Sequence, residues 1–450
     1  MTIEEIYQLY LQHPVISTDT RKIAAGSIFF ALKGDKFDAN TFAEQAIAEG
    51  AAYAVIDNPA YKLNDKYILV DDSLAALQNL ARYHRQQLTI PVVGLTGTNG
   101  KTTTKELINA VLSQKFNTLA TQGNLNNHIG VPLTILSINK SHEIAVIEMG
   151  ANHQKEIALL SSIAQPTHGL ITNIGKAHLE GFGGVEGIKK GKGELYDFLK
   201  SGSPEVGKSE SWEERVAFVN GDDAVLMAMQ EARDLNKVIL YGTTNPDNAV
   251  SGKLTENSPL LSLEWTNNES GESYTVKTQL TGAYNLDNIL AAICIGVYFE
   301  LEADEINKGV EGYQPQNNRS QIKRMDTNTL ICDYYNANPS SMFVAIENIG
   351  KLQAERKVLV LGDMFELGDE SPAEHLGVIQ KALATDVDER IFIGEKFKSQ
   401  ESRVKNQEGV TFYTTVEEAI EGLKAAPVKH STVLIKGSRG MALERLVNLF

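Results

Sequence analysis

Two glycines, a lysine and a run of threonines stand where this chain could bind phosphate. Gly97-Thr98-Asn99-Gly100-Lys101-Thr102-Thr103-Thr104 follows the apolar segment Ile90–Leu95 and precedes a helix-like stretch, Lys105–Leu112. A loop between strand and helix lets backbone N–H groups turn inward around phosphates. It also brings the Lys101 ammonium within reach of them and offers the Thr102 hydroxyl to a Mg²⁺ ion. The expected ligand is therefore a nucleoside triphosphate, with Thr98, Asn99 and Thr103 completing the contact set. The spacing is tighter than G-x-x-x-x-G-K-[ST], which would need glycine where Leu95 stands.

Glu148, in Glu148-Met149-Gly150-Ala151-Asn152, lies just past the apolar run Ile144–Ile147. In a parallel sheet its carboxylate would enter the same crevice as the phosphate loop, where Mg²⁺ takes carboxylate and phosphate oxygens together. A carboxylate favoured by a helix dipole is the plainer alternative. The segment Thr172-Asn173-Ile174-Gly175-Lys176-Ala177-His178-Leu179-Glu180 brings His178 to the same side. Its neutral imidazole could ligate a second divalent ion; a solvated loop histidine is the alternative.

Lys192 stands between glycines in Gly191-Lys192-Gly193-Glu194. Each glycine weakens a helix by about 1 kcal/mol, so close backbone approach explains them better than helix stability. Mg²⁺ would repel an ammonium there, whereas a lysine carbamate would be an anionic ligand. The residues alone leave a carbamate and a solvated lysine both open. Farther on, Asp333-Tyr334-Tyr335-Asn336-Ala337-Asn338-Pro339 and Lys436-Gly437-Ser438-Arg439 each follow a strand-like run. Turn chemistry accounts for Asn338-Pro339, but a lysine and an arginine after a buried strand suit a carboxylate or phosphate.

The elements that must hold these residues alternate along the chain. Strand-like Ser27–Leu32, Tyr53–Ile56 and Tyr67–Val70 interleave with helical Thr41–Ala48 and Leu74–Gln87. Strands are then expected at His168–Thr172 and Val216–Val219, with helices near Lys155–Ile163 and Glu186–Leu199. Val250–Leu280 alternates around Asn267–Gly271, as hairpins do, and Ser201–Glu214 is a polar loop. A last unit has strands Leu330–Asp333, Lys357–Leu361, Glu389–Ile393 and Val433–Ile435. The pattern is a doubly wound, largely parallel sheet with its ligand site at the carboxyl ends of the strands.

At 450 residues the chain is long enough for about three domains of ~150 each. A formal charge of −15 excludes nucleic acid as the main partner, because no basic stripe is available to displace counterions. Anionic small molecules would have to be held by local cations and helix N-termini. Met1–Tyr10 lacks a basic leader, and the longest nearly apolar run, Ile289–Phe299, is too short to cross a bilayer. With two cysteines, Cys294 and Cys332, each in an apolar stretch, the expectation is a cytoplasmic protein without membrane insertion.

These segments, in this order and with Asn285-Leu286-Asp287-Asn288 between them, resemble the Mur ligase family over nearly the whole chain. The resemblance implies an α/β protein of three domains. Residues 1–88 would be a small N-terminal α/β domain for a UDP-sugar, and 89–313 a central P-loop ATPase domain with a doubly wound, mostly parallel sheet. Residues 314–450 would be a C-terminal, dinucleotide-fold-like ligase domain.

Within the family, Leu361-Gly362-Asp363-Met364-Phe365-Glu366-Leu367-Gly368, Tyr335–Pro339 and Asn124–Pro132 look like the subgroup that joins D-alanyl-D-alanine to UDP-N-acetylmuramoyl-tripeptide. That is the last cytoplasmic step of peptidoglycan precursor synthesis. The resemblance implies ATP, two Mg²⁺ ions, a carbamylated Lys192, small-molecule partners and a monomer. Lys101, Glu148, His178 and Lys192 would be catalytic, with Thr102, Glu148, His178 and Lys192 around the metals. Gly97–Thr103, Asn285, Asn288 and Arg319 would contact nucleotide. Ser17, Asp19, Arg21, Asn126, Asn127, Asp333, Tyr335, Asn336, Asn338, Lys436, Ser438 and Arg439 would contact substrate.

Tyr284 stands where many relatives have His, and Gly191 where this subgroup often has Ala, a difference expected to be nearly neutral. Alternatives are a ligase of the same family that adds a single amino acid, or a folylpolyglutamate synthase. A regulatory P-loop ATPase would leave unexplained Lys436–Arg439 and the segments Ser17-Thr18-Asp19-Thr20-Arg21 and Phe30-Ala31-Leu32-Lys33-Gly34, which look like the family's N-terminal UDP-sugar signature. Leu88–Thr89 and Tyr313–Asn318 are the expected hinges between domains.

Overall fold

The computed structural model describes residues 1–34, 36–201, 215–316, 318–404 and 407–450. All of the expected polar loop 201–214 except Ser201 lies outside them, as does residue 317 of the second expected hinge. Among the described residues three large sheets follow one another along the chain, and Lys33–Gly34 pairs with Phe37–Asp38 in a small two-stranded one. The first is parallel, with Ile16–Ser17, Ile28–Phe30, Tyr53–Ile56 and Tyr67–Leu69 in spatial order.

The central sheet has nine strands, running Glu272–Lys277, Leu261–Asn267, Val250–Asn257, Lys237–Gly242, Val216–Asn220, His168–Ile171, Val92–Thr96, Ile144–Glu148 and Thr118–Ala120. All pairings are parallel except the two made by Leu261–Asn267 with its neighbours, the hairpins expected around Asn267–Gly271. In the third sheet Gln321–Arg324 pairs antiparallel with Thr329–Asp333. Parallel neighbours Thr432–Lys436, Lys357–Gly362, Glu389–Ile393 and Val410–Tyr413 follow.

Strand register fixes where the site must be. Leu95 pairs with Glu148 and Thr96 with Ile171, so the phosphate loop, the Glu148 carboxylate and the Thr172–His178 loop leave the sheet side by side. Val92–Thr96 is buried along its whole length, as a strand covered on both faces must be. The apolar run Ile289–Phe299 belongs to the helix Leu286–Tyr298, which packs on the phosphate-loop helix Lys101–Leu112 in the central core. It is apolar all round because it is enclosed.

The first expected hinge is tied down. Helix Ser73–Gln86 packs against central helices Gly130–Leu136 and Glu156–Ala164. At its end the fully buried Arg85 guanidinium donates to the carbonyls of Ala164 (3.0 Å), Leu88 (3.1 Å), Ile90 (3.4 Å) and Gln165 (3.2 Å). Tyr10 adds a hydroxyl bond to Leu136 O at 2.6 Å. Two of those four acceptors flank the Leu88–Thr89 linker, so its backbone is held rather than free to swing.

Candidate active site

The site is a cleft of about 1170 Å³ at the carboxyl ends of the central strands, walled by residues of the first, central and third domains. Its floor is the phosphate loop. Gly97 has φ +145°, and a Cβ there would lie 2.0 Å from Thr172 Oγ1, so only glycine permits this approach. Gly100, at φ +79°, turns the chain into the helix, which starts at Lys101 rather than at the expected Lys105. The unpaired N–H groups of its first turn and the positive end of its dipole are suited to a phosphate.

The Thr172–His178 loop clamps the phosphate loop from the side. Asn173 O accepts from Thr98 N–H, and Asn173 Oδ1 from Asn99 N–H, each at 3.0 Å. Thr172 Oγ1 and Asn173 Nδ2 both donate to Asn99 O, and Gly175 N–H donates to Thr98 Oγ1 at 2.9 Å. Lys101 Nζ donates to Gly97 O (2.8 Å) and Thr98 O (3.0 Å). Burial brings the Lys101 pKa down to about 8; Glu148 opposes that fall and Arg319 adds to it.

Glu148 is almost fully buried at the end of its strand. Asn126 Nδ2 donates to Oε1 at 2.8 Å, while Oε2 is buried without a hydrogen-bond partner among the described residues. A buried carboxylate oxygen left unpaired is costly. Beside Thr102 and a triphosphate it fits Mg²⁺, which binds through one or two carboxylates plus substrate phosphates. Among the described residues there is no group of three or more His, Cys, Asp or Glu that could hold a metal ion.

His178, in the left-handed conformation (φ +50°), has Nδ1 against the Glu366 carboxylate of the third domain, and burial lowers its pKa. Lys192 is buried, with Nζ donating to Ala151 O at 3.2 Å and lying 5.1 Å from the Phe182 ring centre. Burial, helped by Lys101, drives its pKa well down, which shifts the balance toward the free amine. The flanking glycines are explained by contact. A Cβ at Gly191 would come within 2.5 Å of the Phe182 ring, and one at Gly193 within 2.3 Å of the Arg233 guanidinium. Alanine at 191 is therefore not neutral here, since the ring would have to move.

The third domain closes the cleft. Asn338 caps helix Pro339–Lys351, accepting from Ser341 N–H at 2.9 Å, and its Nδ2 donates to Asn99 Oδ1 at 2.8 Å. Arg319, at the domain boundary, stacks on Tyr335 with its guanidinium 3.9 Å from the ring centre and its Nε buried without a partner.

The chain matches three family models in succession: "Mur ligase family, catalytic domain" over residues 14–85, "Mur ligase middle domain" over 95–296, and "Mur ligase, glutamate ligase domain" over 318–439. It is 36% identical to the UDP-N-acetylmuramoyl-tripeptide–D-alanyl-D-alanine ligase of Bacillus subtilis and 37% to that of Escherichia coli. Each alignment covers 96% of this chain and 92% of the relative. The chain belongs to the Mur ligase family. Among solved Mur ligases it resembles MurF from Acinetobacter baumannii, with a TM-score of 0.84 at 31% identity over 96% of this chain and 92% of that one. It also resembles MurF from Thermotoga maritima in complex with ADP, with a TM-score of 0.82 at 26% identity over 97% and 96%.

The structure of this Mur ligase brings Gly100, Lys101, Thr102, Glu148, His178, Asn285, Asn288 and Arg319 to one cleft. Asn288 joins the phosphate-loop helix to Asn285, accepting from Thr104 Oγ1 at 2.9 Å and donating to Asn285 Oδ1 at 2.9 Å. The Tyr284 hydroxyl meets Ser320 Oγ at 2.7 Å.

Several residues expected to contact substrate are already engaged by the protein. Asn127 Oδ1 accepts from Ile129 N–H and Gly130 N–H at the start of helix Gly130–Leu136, and Lys436 Nζ is paired with Asp333 at 2.6 Å. Asp333 also accepts from Ser320 N–H, and buried Ser438 accepts from Phe365 N–H at 3.0 Å. Asn336 Oδ1 takes its neighbour's N–H, from Ala337, at 2.9 Å. Arg439 is exposed, its guanidinium 5.7 Å from the centre of the Tyr335 ring, and does not line the cleft. Ser17, Asp19 and Arg21 also lie outside it; Arg21 grips Asp19 with two bonds of 2.8 and 2.9 Å.

Sequence reasoning missed Asn173, whose amide and carbonyl hold the phosphate loop, and Glu366, which faces His178. Asn173 stood in the segment chosen for His178. Glu366 was passed over because nothing local pairs a glutamate with a histidine 188 positions away.

Proposed function

We propose that the chain joins D-alanyl-D-alanine to the peptide carboxylate of UDP-N-acetylmuramoyl-tripeptide with hydrolysis of ATP to ADP and phosphate. The observation that carries this reading is the convergence, in one cleft, of a phosphate loop, an unpaired buried carboxylate oxygen and a third-domain wall. The relatives that share nearly the whole chain are named for that reaction.

A carboxylate is a poor electrophile because its charge repels nucleophiles and oxide is a bad leaving group. One carboxylate oxygen attacks the γ-phosphorus, the bond to the β-phosphate oxygen breaks, and ADP departs from the resulting acyl phosphate. The dipeptide amine then adds to the acyl carbon. The tetrahedral intermediate collapses with loss of phosphate, and the amine proton goes to phosphate or solvent.

Positioning and charge neutralisation do most of the work in such transfers. Lys101 holds the β/γ-phosphates, and the N–H groups of Gly100–Thr103 cradle them. Thr102 and Glu148 would hold Mg²⁺, which neutralises phosphate charge and polarises the γ-phosphoryl group when bound. His178 and a carbamylated Lys192 would serve a second ion. The low pKa of Lys192 supports that modification, because the neutral amine is the form that adds CO₂. Arg319 and Asn285 would contact the nucleoside. Among the described residues no helix is long and apolar enough to cross a membrane, and we place the reaction in the cytoplasm with a monomeric enzyme.

The test is phosphate release from ATP with UDP-N-acetylmuramoyl-tripeptide and a panel of amines. D-alanyl-D-alanine should stimulate it and single amino acids or glutamate should not; stimulation by a single amino acid alone would overturn the substrate assignment.

A further inference from the structure

Lys176 takes no part in the chemistry above, yet both its main chain and its side chain reach across to the third domain. Its N–H donates to Ser340 Oγ at 2.8 Å, in the first turn of helix Pro339–Lys351. Its ammonium pairs with Glu374 at 2.6 Å, in the first turn of helix Ser371–Leu383. The Glu374 side chain is 11% exposed and that of Lys176 49%, so the pair is shielded from solvent on the glutamate side and open on the lysine side. Glu374 accordingly holds the Lys176 pKa above its ordinary value.

What gives these contacts meaning is the other side of the same loop. Gly175, the preceding residue, donates to Thr98 Oγ1, and Asn173 holds the N–H groups of Thr98 and Asn99. A Cβ on Gly175 would lie 2.9 Å from Ser340 Oγ and 3.3 Å from Thr98 Cγ2, so the loop is pressed between the two domains at that point. One short segment thus braces the phosphate loop with one edge and receives the third domain with the other.

We propose that Lys176 is a positioning residue: paired with Glu374 and Ser340, it seats the third domain on the loop that shapes the phosphate site. Domain docking and nucleotide binding then strengthen each other. A contact made only in the docked arrangement stabilises that arrangement, and a ligand that prefers the docked form gains affinity by the same factor. This rests on the reading that residues 97–104 bind nucleotide.

The experiment measures the affinity of a non-hydrolysable ATP analogue with Mg²⁺ for the full chain, by calorimetry, together with the radius of gyration by X-ray scattering. Lys176→Met and Glu374→Gln should each weaken binding about three- to tenfold, the range for a partly buried charge-assisted bond. Each should also raise the analogue concentration needed for compaction by the same factor. The double variant should lose no more than either single one, because both remove the same bond. Ser340→Ala, which keeps every charge, should weaken binding about two- to threefold and guards against a folding defect in the charge variants. Native affinity in both single variants, or additive losses in the double one, overturns the proposal. If the native chain itself does not bind the analogue, the nucleotide reading falls instead.

Discussion

Asn126 Nδ2 donates to one oxygen of Glu148 at 2.8 Å, leaving the other oxygen buried and unpaired at the wall of the cleft. The amide holds one carboxylate oxygen and leaves the other available to a ligand. Outer partners of metal-binding groups commonly carry about ten- to hundredfold of metal affinity. Asn126→Ala should therefore raise the Mg²⁺ concentration for half-maximal turnover about tenfold, with a smaller change in saturated rate. A Mg²⁺ titration of phosphate release checks this, and an unchanged midpoint would remove Asn126 from the metal site.

Among the described residues Lys101 Nζ has two loop carbonyls and no carboxylate within bonding distance. Lys101→Ala should lower kcat about 10²- to 10³-fold, as losing one preorganised charge contact to a transition state does. Turnover undiminished in that variant would show that this loop is not the ATP site.

The pKa of Lys101, about 8 against an ordinary 10.5, gives a pH dependence of known sign. In the unliganded protein the ammonium loses its proton as pH rises through about 8, and a triphosphate restores it. Nucleotide affinity should be flat below that pH and fall above it by up to about tenfold per unit, with proton uptake on binding. Stability has its own sign. The folded pKa lies below the unfolded one, so this lysine is a destabilising burden below about 8 that is relieved as pH climbs toward 10.5. Calorimetry at pH 8.5 in buffers of different ionisation enthalpy should register the uptake as heats that differ between buffers; the same observed heat in every buffer would contradict it.

Lys192→Ala should abolish ligation, and added short-chain carboxylic acids should partly restore it by occupying the place of a carbamate. Bicarbonate should likewise revive native protein that has been stripped of CO₂ by acid treatment. Absence of rescue in both experiments would count against the modification.

Gly191→Ala should destabilise the fold by about 1–3 kcal/mol, because the new methyl group meets the Phe182 ring. Urea unfolding measures it, and a loss under about 0.5 kcal/mol would mean that the ring yields freely.

Some buried strands were legible in the sequence: Tyr53–Ile56 is a continuous apolar run and Glu389–Ile393 ends in one, and both agree to the residue. Gln321–Arg324, Val410–Tyr413 and Thr118–Ala120 were not; each is three or four residues at a sheet margin, where one side lacks a partner. Lys237–Gly242 is interior to the sheet but too short for periodicity to classify. In the site, residues on one strand end could be read, since Glu148 and Lys101 each follow a recognisable strand. Contacts across distant segments could not. Asn338 with Asn99, Glu366 with His178 and Lys436 with Asp333 are made by folding, and no local spacing encodes them.

The buried guanidinium of Arg85 bears on how this chain can be dissected. Three of its four acceptors, Ile90, Ala164 and Gln165, lie beyond residue 89, so severing the polypeptide there would part them from their donor and uncover the face of helix Ser73–Gln86. A chimera that imports its first lobe from a relative must bring the 130–136 and 156–165 surfaces with it, or the graft will not seat.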